Sequence, residues 1–169
     1  MRSRGNGHRD MAAGFETFAW SETRSRARWV LAAAAAVAAV AHIPVIAPHL
    51  DEAPYMGIAF VVLTAACGLV AATALWVDSG AVYAAALTTC SLAVVGYIAT
   101  RSMSFPELGD DVGDWFEPLG VVSVCAETIA VCAAGWGLSR ALRSPAPTGP
   151  PPPRNPTEPF PTVPSPPDR

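Results

Sequence analysis

Imidazole and carboxylate are among the groups lipid tolerates least, and both interrupt the most apolar parts of this chain. The stretch "AHIPVIAPHLDEAPY", residues 41–55, sets His42, His49, Asp51 and Glu52 directly after a run, Trp29 to Ala41, whose only polar group is an indole. A further carboxylate, Glu127, lies inside "LGVVSVCAETIAVCAAGWGLS", residues 119–139. Imidazole with carboxylate is a donor set for zinc, and imidazole with thioether suits copper. The candidate metal ligands are therefore His42, His49, Glu52 and Glu127, with Met56 and Met103 nearby as soft donors. No compact ligand motif joins them. Haem held by two histidines on different helices is disfavoured, because the third histidine of the chain is His8, far outside the apolar region. Arg101, Asp110, Asp111 and Glu117 extend the polar cluster. The same residues also fit two metal-free roles. One is a protonation switch; the other is a polar clamp that fixes helix packing.

These side chains need elements that carry them to one depth. Four segments reach the roughly 20 apolar residues of a membrane-crossing helix: about 29–47, 54–77, 81–100 and 119–139. None has a polar face, so none reads as a soluble amphipathic helix. Runs of this length exceed a barrel strand, and open backbone cannot be left in lipid, so all four are expected to be helical. The expected fold class is all-α: a polytopic membrane protein of four transmembrane helices, arranged as two hairpins. If the first helix ends near Ala47 and the fourth begins near Leu119, then His42 lies about 8 Å and Glu127 about 12 Å below one boundary. A lone carboxylate there is costly, so Glu127 should face the bundle interior and be protonated or paired. His42 is the expected partner, and Arg101 the next.

Charge sets the expected orientation. The chain has 11 arginines and no lysine, and every arginine except Arg101 lies before Trp29 or after Ser139. Asp51, Glu52, Glu107, Asp110, Asp111, Asp114 and Glu117 fall in the first and third connections. The excess of basic residues on one side predicts cytoplasmic termini and outward acidic loops. A competing reading is a cleaved signal peptide, with the "AVA" at 39–41 as the cut site. No basic patch interleaves with aromatics, so the chain offers nothing to nucleic acid.

The expected organisation is a basic N-terminal segment (1–28), a four-helix domain (29–140) and a disordered proline-rich cytoplasmic tail (141–169). From Ser144 the tail holds 12 prolines in 26 residues and has no core to bury, so it reads as a solvated spacer. "MAAGFETFAW", residues 11–20, suits an interfacial turn. Cys67, Cys90, Cys125 and Cys132 lack C-x-x-C spacing. With Gly68, Gly96, Gly120, Gly135 and Gly137, they read as small residues at close helix contacts. Pro54 and Pro118 suit first helical turns, and Asp51, Glu52 and Glu117 suit the positive end of a helix dipole.

The chain resembles a family of small integral membrane proteins from high-GC actinobacteria. The resemblance rests on "HIPVIAPHLDEAPYMGIAF", on "ATRSMSFPELGDDVGDWFEPLG" and on Glu127, and it covers about residues 29–140. His42, His49, Glu52, Pro54, Gly57, Arg101, Pro106, Asp110, Asp111, Trp115, Glu117 and Glu127 occupy what look like signature positions, while Asp114 stands where Asn is more usual. The resemblance implies the topology and a place in the plasma membrane of a bacterium, and carries no activity. With no nucleophile or cofactor motif, the reading leans away from an enzyme. It favours a membrane protein that senses, binds a metal or small ligand, or assists a larger membrane complex. The alternative is a proton- or metal-coupled transporter or sensor working as a homo-oligomer, since four helices alone enclose little space.

Overall fold

The computed structural model describes residues 26–143. Four α-helices dominate them: α1 (Ala27–Glu52), α2 (Pro54–Trp76), α3 (Gly80–Ser102) and α4 (Pro118–Arg143). A 3-10 turn, Gly109–Asp111, lies between α3 and α4, and the described residues contain no strand. All four helices are long and apolar enough to cross a membrane. The proline-rich tail, the "MAAGFETFAW" segment and most of the basic N-terminal segment lie outside the described residues.

The first helix is longer than the sequence reading gave. It does not end near Ala47 but runs through Pro44 and Pro48 to Glu52, adding five residues, or about 8 Å. Proline removes an N–H and crowds the carbonyl four residues back, so either one would be expected to weaken the helix here. Both rings lie on the exposed face of α1, so neither meets a packed neighbour. The helix ends at Ala53, whose N–H donates to the His49 carbonyl (2.9 Å). The "AVA" of the signal-peptide reading sits within α1, where Ala39 and Ala41 are buried.

Ala53 is the whole connection between α1 and α2. Pro54 then opens α2, where its missing N–H costs nothing. The reversal brings backbones together: a methyl group on Gly57 would lie 2.6 Å from the Leu50 nitrogen and 2.7 Å from its Cα. Val77, Asp78 and Ser79 join α2 to α3, and the Ser79 hydroxyl accepts the Val82 N–H (3.4 Å). Tyr83, fully buried, donates to Asp78 Oδ1 (2.7 Å) and fills the space over Gly137 of α4.

Packing is uneven around the bundle. The order is α2, α1, α4, α3, with α1 against both α2 and α4, α4 against α3, and α2–α3 the loosest of the neighbouring pairs. The core is built mainly of alanine: Ala35, Ala74, Ala86, Ala130 and Ala134 surround Leu31 and Tyr83. A smaller cluster, Ala38, Ala39, Cys67 and Ala126, continues it toward the α1–α2 turn. Outward faces carry Val40, Val62, Leu69, Leu92, Val95, Ile129 and Trp136, all exposed.

The small-residue reading is corrected in part. Cys67 and Cys90 are buried, whereas Cys125 and Cys132 are exposed on α4. A methyl group on Gly68, Gly96 or Gly135 would meet nothing within 4 Å, so these glycines are not close-packing points. Gly120 and Gly137 are: the added methyl would fall 2.8 Å and 2.3 Å from the rings of Tyr97 and Tyr83.

Candidate ligand cavity

One turn beyond the alanine core, the bundle opens. Ala38, His42, Val45 and His49 recur along one face of α1, and their last three members line a cavity of about 560 Å³. From α4 come Leu119, Gly120, Ser123 and Glu127; from α2, Met56, Ala59, Phe60 and Leu63. The α3 wall includes Leu92, Gly96, Tyr97 and Arg101. Its size falls within the range of about 300–1,000 Å³ typical of small-molecule sites.

The floor is the pair His42 and Glu127, with Nε2 and Oε1 3.4 Å apart and both side chains almost wholly buried. His42 Nδ1 lies 2.6 Å from the Ala38 carbonyl, and His49 Nδ1 lies 2.7 Å from that of Val45. A carbonyl can only accept, so each Nδ1 carries its hydrogen and donates. Each Nε2 is therefore a lone pair when its ring is neutral. Phe60 lies against both imidazoles, with ring centroids 5.6 Å from His42 and 4.7 Å from His49. Despite the proximity of His42, Glu127 Oε1 has no hydrogen-bond partner. The 3.4 Å separation is an ion-pair distance without hydrogen-bond geometry. A buried polar atom left in this state costs about 1–3 kcal/mol.

Arg101 does not reach Glu127. Its Nη1 donates to the Asp111 carbonyl (3.2 Å) and pairs with the Asp111 carboxylate (2.7 Å), and its guanidinium lies 5.2 Å from the Tyr97 ring centroid. The loop from Met103 to Glu117 is pinned across the same end of the bundle. Tyr55 donates to the Pro106 carbonyl (2.6 Å), and Tyr97 donates to that of Trp115 (2.8 Å). Phe105 and Asp111 of this loop line the cavity. Glu117 closes the site's edge by capping α4: Oε1 accepts the Leu119 N–H (3.0 Å) and Oε2 the Gly120 N–H. This places a carboxylate at a helix N-terminus, where the dipole favours it.

The four proposed metal ligands are not brought together. Among the described residues no group of three or more His, Cys, Asp or Glu side chains could hold a metal ion. The reason is helical: His42 and His49 share a face but stand seven residues apart, about 10 Å along the axis, and Phe60 lies against both rings. Glu52 is exposed at the end of α1 and lines no part of the cavity, and Met103 is exposed as well. Of Asp110 only the backbone, in the 3-10 turn, is described.

Several lining residues were not picked out in the sequence. Tyr97 lies one turn before Arg101 and Ser123 one turn before Glu127, so i, i+4 spacing from a polar anchor would have found both. Phe60 carried no signal of its own, being one aromatic in an apolar run. Compared with protein-family models, with curated proteins and with solved structures, the chain matches none.

Proposed function

We propose that this chain is a multi-pass membrane protein that binds a small amphipathic molecule in the cavity between its helices, at the outward end of the bundle. The apolar outer faces of all four helices support membrane insertion, since patches of that extent are not left in water. The arginine distribution supports cytoplasmic termini, which puts the acidic loops and the cavity mouth outside. The observation that carries the binding reading is Glu127: a buried carboxylate oxygen with no hydrogen-bond partner, 3.4 Å from His42 Nε2 and lining a cavity rather than a packed contact. A clamp would have closed to a hydrogen bond. Metal binding is not part of this reading, because the donors do not converge.

Dicyclohexylcarbodiimide, an apolar reagent for protonated carboxyl groups in apolar surroundings, tests the site directly. On the full chain in detergent or liposomes, mass spectrometry should find a single adduct at Glu127, absent from Glu127→Gln. An unlabelled Glu127 would mean that the cavity is closed in the membrane, and the binding reading would fail.

A further inference from the structure

From this reading of the cavity as a binding site we infer its ligand class: a lipophilic monocation, with an apolar body and one ammonium-like charge. The floor presents acceptors. Glu127 Oε1 has no hydrogen-bond partner, and both lining histidines have committed Nδ1–H to helix carbonyls, which leaves each Nε2 as an acceptor when the ring is neutral, that of His42 3.4 Å from Oε1. The one arginine in the wall is already engaged: Asp111 holds its Nη1, and the Tyr97 face lies beside it. Its Nε, also without a partner, is a single donor left for a carbonyl, ether oxygen or water. Phe60, Tyr97 and Phe105 line the space, and aromatic faces attract cations.

The approach to the site has the same sign. Between Asp51 and Glu117 the two connections at this end carry seven acids against Arg101 alone. Such a rim concentrates cations and repels anions. The wall is also incomplete between α2 and α3, the loosest of the neighbouring pairs, where Ala59, Leu92 and Gly96 line the cavity and are exposed. That gap faces the lipid, so a ligand can arrive through the membrane with its apolar body leading. A water-soluble cation has no need of such an opening.

Tetraphenylphosphonium and tetraphenylborate provide the test, because they share size and shape and differ in the sign of charge. On the full chain in detergent, the phosphonium should bind saturably at one per chain, hold Glu127 in its ionised form and so protect it from the carbodiimide, which needs the protonated acid, while the borate does neither. Glu127→Gln should weaken phosphonium binding on the order of tenfold or more, the loss of one charge–charge contact. Protection is read on the unaltered chain, so the test stands even if the variant folds poorly. Borate binding equal to or tighter than phosphonium binding would overturn the inference. So would phosphonium binding unchanged in a Glu127→Gln protein that melts normally. If Glu127 is labelled and neither ion protects it, the ligand class is wrong while the cavity reading survives. If Glu127 is never labelled, both fail.

Discussion

His42 and Glu127 face each other from α1 and α4 at 3.4 Å, the floor contact on which every reading of this site depends. Such a pair is coupled, because removing either member leaves the other buried without its ion-pair partner. His42→Ala and Glu127→Ala should each destabilise the protein in detergent by about 1–3 kcal/mol. His42→Leu/Glu127→Leu should recover part of that loss, since two apolar groups of similar shape leave nothing unsatisfied. Thermal melting of the singles and the double would give the coupling; strictly additive losses would mean that the side chains do not interact. That these two side chains meet was legible in the sequence from their places inside two apolar runs, although α1 continues five residues past the boundary from which depth was counted. The partner of Arg101 was not, because Asp111 lies in a loop whose path no periodicity predicts. Nor was the separation of the candidate ligands: a shared helix face says nothing of the two turns between His42 and His49.

At the scale of elements, the existence of four helices followed from apolar length alone, whereas the end of α1 did not. Pro44 and Pro48 are strong local stop signals, overridden here because both rings point out of the bundle and the helix continues into a tight reversal at Ala53. That reversal makes a sharp prediction about two glycines in α2. Gly57→Ala would drive a methyl into the Leu50 backbone, which no rotamer change relieves. It should lower the melting temperature, at a cost of about 1–3 kcal/mol. Gly68→Ala meets nothing within 4 Å and should be neutral or slightly stabilising, alanine being the better helix former. Equal effects of the two substitutions would contradict the α1–α2 packing. In the sequence both glycines looked alike, since an apolar helix without a polar face gives no sign of which side meets a neighbour.

At the scale of the whole molecule, two halves of the bundle do different work. Toward the α2–α3 turn, alanine lets the helices approach closely around Leu31 and Tyr83. Toward the α1–α2 turn, the side chains grow larger and polar, α2 and α3 separate, and the cavity occupies the space. The orientation proposed from arginine places the open half outside the cell and the packed half toward the cytoplasm. A reporter active only in the cytoplasm, fused after Arg143, should therefore be active, while the same reporter inserted at Gly109 in the α3–α4 loop should be silent. An even number of spans requires the two ends of the helical domain to share a side, so both fusions report one property by independent routes. The reverse pattern would put the acidic rim and the cavity mouth in the cytoplasm. Glu127 would keep its geometry, but its ligand would then have to come from the cell interior rather than from outside.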